Sequence, residues 1–377
     1  MTQRITPGQI KKNNRQQIYN YIYEERNVSQ QAIAYALHLS RPTVATNLSE
    51  LEEDGLIRRN GQLESDQIGR KAVAYAVVSD FRIAIGVEIM RHRVWFIAID
   101  LYGQSLRREG INIEYSNTDG YYERLCERIE TFIASLNVPP ERVLGVGITV
   151  EGIASPDGRQ IVYGKILECT GLSVEVFEKR LHRPCSFIHD CAGAAISELW
   201  VSPELEDGVY LSLNRHLGGA SIINRRVVSG RHGHSATYEH VQAQPRGELC
   251  YCGKRGCWET LCSMKALLGN GDVDAFFEAA RREGTDESLR WQRYLKYLAK
   301  LVEDIHLLHD VDIILGGHLA PYLTDDDIRV LYAEIRRLCP FEEEEDYIRI
   351  SKMPSYNITV GAALPYIMRF LEDIDEG

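Results

Sequence analysis

HVQAQPRGELCYCGKRGCWE, residues 240–259, carries the densest chemistry in the chain. It sets His240, Cys250, Cys252 and Cys257 in the pattern His-x9-Cys-x-Cys-x4-Cys. Thiolates and imidazole are donors that suit zinc, and four protein ligands close its tetrahedron with no position left open for a reacting water. Gly253 and Gly256 let a tight loop fold the donors around one ion. The spacing therefore predicts a structural zinc site that stabilises its own loop and fixes neighbouring side chains. The bland alternative is a set of unrelated free thiols near a surface histidine. Three cysteines so close together among glycines argue against it.

Around this loop the chain has 377 residues, enough for two or three domains and a sizeable core. Hydrophobic residues make up 44% and charged residues 26%, an ordinary globular balance. No run approaches the ~20 apolar residues of a membrane span, and the start, MTQRITPGQIKKNN, lacks the apolar core of a signal peptide. A cytoplasmic protein without a membrane partner is expected, and the nine cysteines fit metal binding there better than disulfides. The net charge of −11 hides an asymmetry. Residues 1–71 hold ten Lys/Arg and eight Asp/Glu, or +2; residues 72–377 hold 33 and 46, or −13. An acidic body limits non-specific adhesion to DNA and leaves the mildly basic N-terminus as the part suited to it.

That N-terminus reads as three helices and a hairpin. Ile18 and Ile22 mark a helix over 14–25. Ser29 caps a second over 30–39, and Ser40 caps a third over 41–54, with Pro42 tolerated in the first turn and Gly55 ending it. Val44, Leu48 and Leu51 form the apolar stripe of the third helix, and Arg41, Thr43, Thr46 and Asn47 are assigned to its other faces. LIRR, an Asn60-Gly61 turn and AVAYAVV then read as a wing. In such a winged helix-turn-helix the third helix enters the major groove. The candidate base and backbone contacts are Ser40, Arg41, Thr43, Thr46 and Asn47, with Arg58, Arg59, Arg70 and Lys71 of the wing meeting phosphate or a minor groove. The alternative is a small three-helix bundle for protein contacts, its charges merely solvated.

Beyond residue 80 the pattern is α/β and rich in hairpins. Strand-like runs RIAIGVEIM, RVWFIAIDL and QSLRREGINIEY fill residues 82–115, followed by a helix over 119–135 and the buried strand VLGVGITV. The pattern restarts near 207 with GVYLSLN and GGASIINRRVV; helices are expected over 190–200, 286–308, 325–337 and 358–371, and a strand at DIILGG, 312–317. Two similar α/β lobes follow. The expected division is 1–80 for the winged domain, 81–190 for the first lobe and 191–377 for the second, with the last helix packing back on the first lobe.

The zinc segment resembles that of the ROK family (repressors, open reading frames and sugar kinases), in which a His precedes a C-x-C-G-x-x-G-C-x-E run; here that run is CYCGKRGCWE at 250–259. A winged helix-turn-helix ahead of the body resembles the family's repressor branch. The resemblance implies a two-lobed, actin-like sugar-kinase fold with a sugar in the cleft. It places Asp190, in HDCAGAAISE, at the position of the kinases' general base, and it makes His189, Asp190, His240 and Glu259 the candidate ligand contacts. His189 stands where the family usually has Asn, and Thr237 where it has a sugar-binding Glu, so two usual contacts are altered. A lone Asp before a helix is also an ordinary N-cap.

The phosphate loops depart further. Such loops need small residues so that backbone N–H groups can approach the anion. The first loop is Glu88 to His92, with bulky Met90 and no glycine; the second runs from Asn214 to Gly219, with Asn214 and His216 in place of two glycines. Gly316-Gly317 remains near the nucleotide region. Arg91 and Arg215 read first as solvated charges, though either suits an anion. The resemblance thus implies a non-enzymatic, sugar-responsive repressor of carbohydrate genes, acting on double-stranded operator DNA as a homodimer or dimer of dimers, with a sugar or sugar phosphate as effector. The rivals are an active ATP-dependent sugar kinase and an effector-independent DNA-binding protein.

Overall fold

The computed structural model describes residues 7–63, 72–341, 346–353 and 356–375. The N-terminal part comprises α1 (Pro7–Glu25), β1 (Val28–Ser29), α2 (Gln30–Ala36), α3 (Arg41–Glu53), β2 (Ile57–Gln62) and β3 (Val73–Val77). Helix α1 begins well before residue 14. The Ser29 and Ser40 hydroxyls accept from the Ala32 and Thr43 amides at 3.2 Å each, so both expected caps are present. Val44, Leu48 and Leu51 pack with Ile18, Ile22 and Ile33, and Gly55 ends α3 at φ +78.

The wing departs from expectation in one respect. Asn60-Gly61 is not the hairpin turn but lies inside β2, which still pairs Gln62 with Val73. Gly61 has φ +76 and the register shifts between Arg59 and Gln62. A left-handed glycine absorbs one extra residue as a bulge as readily as it closes a turn. Arg70 and Lys71 lie outside the described residues.

The first lobe contains β4 (Ile83–Ile89), β5 (Arg93–Ile99), β6 (Ser105–Asn112), α4 (Asp119–Ala134), β7 (Val143–Val150), β8 (Ile153–Ala154), β9 (Ile161–Tyr163), α5 (Glu175–Leu181) and β10 (Cys185–His189). Helix α6 (Asp190–Val201) leads to the second: β11 (Gly208–Leu213), β12 (Leu217–Ile223), β13 (Arg226–Val228), α7 (Glu259–Cys262), α8 (Met264–Leu268), α9 (Val273–Ala280), α10 (Asp286–His309), β14 (Asp312–Gly316), α11 (Asp325–Leu338), β15 (Ile348–Ile350) and finally α12 (Asn357–Glu372). The run GGASIINRRVV is two strands, not one, because Asn224 and Arg225 both take positive φ and turn the chain back.

The two main sheets share a topology. One has the order β10-β7-β4-β5-β6 and the other β15-β14-β11-β12-β13; in each, three antiparallel strands are extended by two parallel ones. Strand β4 is apolar on both faces because both are covered. Ile83, Ile85, Val87 and Ile89 face the α4 side, whereas Ala84 joins the cluster containing Val360, Ala363 and Leu364 of α12. A Cβ on Gly86 would lie 1.9 Å from the Thr359 oxygen, and one on Gly147 would lie 1.7 Å from the Ala362 oxygen. Only glycine lets α12 approach the first-lobe sheet so closely.

Helix α12 also packs against α6, where a Cβ on Gly361 would meet the Gly193 oxygen at 1.8 Å. Its far end holds the winged part. Phe370 meets Tyr19 edge-on at 6.5 Å, Gln16 donates to the Leu371 carbonyl and accepts from the Ile374 amide, and Arg15 pairs with Asp375 at 3.0 Å. One helix thus touches the first-lobe sheet, the interlobe helix α6 and the winged part.

Candidate functional site

Three constellations emerge: the exposed face of α3, the cysteine loop and the cleft. On α3, Arg41 is exposed, Thr43 is half-buried with its hydroxyl 2.8 Å from that of Ser40, and Thr46 is exposed, its hydroxyl donating to the Pro42 carbonyl. Asn47 is different. It is 3% exposed, and its amide donates to the Thr43 carbonyl at 2.9 Å. Its assignment to an outward face is therefore corrected. Position 47 lies three residues after Val44 and four before Leu51, so it shares their inner stripe. On the wing, Arg58 and Arg59 are exposed, and Arg59 pairs with Glu52 at 3.2 Å.

In the cysteine loop, the donor atoms of His240, Cys250, Cys252 and Cys257 all lie within 4.8 Å of one another. The Cys252 and Cys257 sulfurs are 3.7 Å apart, and Cys250 Sγ is 3.8 Å from His240 Nδ1. The sulfur separation is far too long for a disulfide. It matches the ~3.8 Å edge of a tetrahedron built on metal–sulfur bonds of ~2.3 Å. The loop closes because Ala243 and Gln244 both donate to the Gly256 carbonyl, and a Cβ on Gly256 would lie 1.5 Å from the Gln244 oxygen. Burial, aided by Lys254, holds the His240 pKa down at about 4, so the ring is a neutral donor. Burial opposes ionisation of Cys252, but the Lys254 amide and the neighbouring thiols outweigh it and lower that pKa.

The cleft holds a cavity of about 250 Å³ lined from both lobes, with Glu88, Glu151, His189, Asp190, Glu239 and His240 among its walls. Asp190 opens α6; its Oδ1 accepts from the Cys191 amide at 2.7 Å and lies 3.1 Å from His189 Nε2. The one-turn helix at Tyr238–His240 aims both Glu239 and His240 inward. His240 Nδ1 faces the sulfurs while Nε2 lies 3.8 Å from Glu239 Oε1. Glu239 is 5% exposed, and its Oε2 has no hydrogen-bond partner. Burial pushes its pKa up to about 8. Glu88 rises to about 7, first through burial and then through Asp190 and Glu151, while Thr359 donates to it at 2.9 Å.

Glu259, expected to contact a ligand, is hydrogen-bonded within the second lobe. Its two carboxylate oxygens are engaged by His216 Nδ1 and the Leu217 amide, both at 2.7 Å, and it does not line the cavity. His216 thus occupies one oxygen of the carboxylate. Thr237 does not line the cavity either; its hydroxyl donates to the His234 carbonyl. The residues the sequence reading missed are Glu239, Glu151, His216 and Tyr251. Glu239 was within reach of inference, since a residue beside a ligand histidine shares its tight turn. The other three come together only through the fold.

The turn after β11 is tied to the turn after β14. Asn214 Oδ1 accepts from the His318 amide at 2.7 Å and lies 2.6 Å from His318 Nδ1. It also abuts the turn at Gly317, where a Cβ would come within 2.7 Å of it.

Residues 84–363 match the ROK family model. The chain belongs to the ROK family. Residues 12–58 of this ROK chain also match a winged helix-turn-helix DNA-binding model. The N-acetylglucosamine repressor of Escherichia coli O157:H7 is 28% identical over 261 residues, covering 68% of the ROK chain and 64% of the relative, just under two thirds of its length. Among solved structures, a ROK family transcriptional regulator, described as a homologue of the Escherichia coli MLC protein, superposes with a TM-score of 0.74 at 21% identity over 97% of both chains. A ROK glucokinase from Streptomyces griseus in complex with glucose and AMPPNP superposes with a TM-score of 0.64 at 22% identity, over 75% of this chain and 98% of the other. The fold is therefore a winged helix-turn-helix joined to a sugar-kinase-like body. Among the described residues, no helix is long and apolar enough to cross a membrane.

Proposed function

We propose that this ROK chain is a transcriptional repressor of carbohydrate genes, binding operator DNA through its winged part and a sugar effector in the cleft. The observation that carries this reading is α12. It lies on the first-lobe sheet and on α6, whose first residue is Asp190 in the cleft, and it holds α1 of the winged part at its other end. A ligand that binds the closed cleft better than the open one biases α6 against α12 and hence the placement of the DNA-binding face; equal affinity for both states would shift nothing. In this reading residues 1–80, 81–190 and 191–377 act as winged domain, first lobe and second lobe.

Ser40, Arg41, Thr43 and Thr46 at the start of α3, with Arg58 and Arg59 of the wing, are the proposed DNA contacts; Arg70 and Lys71 are proposed as further DNA contacts. A homodimer or dimer of dimers would present two such faces to a roughly palindromic operator. His189, Asp190, Glu239 and His240 are the proposed sugar contacts. The metal is assigned as zinc, held by His240, Cys250, Cys252 and Cys257. Its role is to fix the loop so that His240 and Glu239 keep their direction into the cleft.

A sugar kinase would also need Asp190 where it lies. The bonded Asn214–His318 amide and the His216–Glu259 pair oppose that reading. The test is binding to DNA upstream of the gene at two salt concentrations, with competitor DNA and a panel of sugars. Specific retention modulated by one sugar class is the expected result. Sugar phosphorylation from ATP, abolished by Asp190→Asn, would establish the kinase instead.

A further inference from the structure

Outside the sugar-sized cavity, and continuous with it, lies a larger one of about 800 Å³. Six cationic side chains line it: Arg91, Arg93, Arg108 and Lys165 from the first lobe, Arg215 and Lys265 from the second. This concentration stands in a body that carries −13 overall. None of the six forms an ion pair with a carboxylate among the described residues. Arg91 donates to the Ile166 carbonyl. Arg93 and Arg108 stack on the Trp95 ring at 4.5 and 4.0 Å, contacts that orient guanidinium groups without neutralising them. The only carboxylates in the lining are Glu88 and Glu151. Burial raises the pKa of both, Glu88 to about 7, while His216, Arg91 and Arg215 pull that of Glu151 back down, so two carboxylates face six cations.

Six cations against two carboxylates leave an excess of like charge around one cavity, and a bound anion relieves that cost. The two cavities share Glu88, Glu151, Arg215 and His216, so one small molecule can span them. The inner end presents Asp190 and the unpartnered Glu239 oxygen, which suit hydroxyl groups. The backbone cradle that a nucleotide would use is interrupted by Asn214 and His216, whereas Arg91 and Arg215 offer planar guanidinium donors from opposite lobes.

We infer that the outer cavity is a phosphoryl-binding clamp, in which Arg91 and Arg215 grip the phosphate of a phosphorylated sugar whose hydroxyl-bearing end occupies the inner cavity. This deepens, and rests on, the sugar-effector reading above. The phosphoryl group bridges the lobes, so it holds the cleft closed as a neutral sugar cannot.

The test is calorimetric titration of the full chain at constant ionic strength with glucose, glucose 6-phosphate, N-acetylglucosamine, N-acetylglucosamine 6-phosphate, ATP and inorganic phosphate. At least one ester should bind 10-fold or more tightly than its parent sugar. Arg91→Ala and Arg215→Ala should each remove most of that preference, and Arg91→Ala, which lies outside the inner cavity, should leave the affinity for the parent sugar unchanged. Inorganic phosphate at millimolar concentration should raise the melting temperature of the parent chain but not of the double variant. A parent sugar that binds as tightly as its ester, a preference that survives both substitutions, or ATP binding in place of every ester would overturn the clamp. The phosphate arm separates the two readings. Arginine-dependent phosphate binding without any effect of sugars on DNA retention sinks the sensor and keeps the clamp. DNA release by a neutral sugar alone does the reverse.

Discussion

The cysteine loop and the cleft share His240 but are built in opposite ways. The loop takes all its donors from residues 240–257, and its closure depends on local turns at Gly253 and Gly256. The cleft draws Glu88 and Glu151 from the first lobe, Asp190 from the interlobe helix, and His216 and Glu239 from the second. A local site is broken by losing one donor atom. A distributed site also depends on how the lobes sit, which is what makes it suited to sensing.

The harshest test of this contrast is Cys250→Ser or Cys257→Ser. Either should take zinc content to near zero and lower the melting temperature by several degrees, since a structural metal contributes directly to folding. Retained metal in either variant, measured by elemental analysis, would show that the donor set is wrong. On the cleft side, Asp190→Asn and Glu239→Gln should leave zinc content intact and weaken effector binding by about 10- to 100-fold, the range of one charge-assisted hydrogen bond. If Glu239→Gln also released zinc, the two regions would be one site and the contrast would fail.

Titration sharpens the same distinction. Burial lifts the Glu88 pKa from 4.5 to about 7. The folded state then holds a proton that the unfolded chain releases, so this group's contribution is fully present below pH 4.5 and is lost as pH rises through 7. Glu88→Gln keeps an acceptor for Thr359 and cannot ionise. It should gain stability over the parent on the order of 2 kcal/mol at pH 8, a gain that vanishes below pH 4.5. Denaturant melts across that range would show a flat difference if Glu88 were an ordinary surface carboxylate.

The smallest effects belong to α3. Arg41→Ala should weaken operator binding about 10-fold and reduce its salt dependence by roughly one phosphate contact. Asn47→Ala should leave operator affinity nearly unchanged and cost about 1 kcal/mol of stability through its bond to the Thr43 carbonyl. The reverse outcome in gel-shift and melting measurements would place Asn47 on the DNA.

Much of the local structure was legible in the chain. Ser29 and Ser40 cap the helices they were expected to cap, Gly55 stops α3, and the three runs over 82–115 are three paired strands. The errors arose where one local signal has two structural uses. Asn60-Gly61 serves a bulge as well as a turn. Asn47 reads as polar and outward until its position on the buried stripe is taken into account. The partner of Glu259, His216, lies far away in the chain and could not be read from spacing.

The sequence by itself determined the helix caps, the strand runs, the charge asymmetry and the cysteine loop, because each rests on interactions between residues near in the chain. Only the tertiary structure decided that Glu259 is sequestered, that Glu239 faces the cleft with a free oxygen, and that α12 joins the sheet, α6 and α1. It also brought Arg91 and Arg215 to one cavity. Those outcomes depend on the crossing of two lobes and on glycines that let backbones touch, and no spacing along the chain encodes a distance between residues that the fold alone brings together.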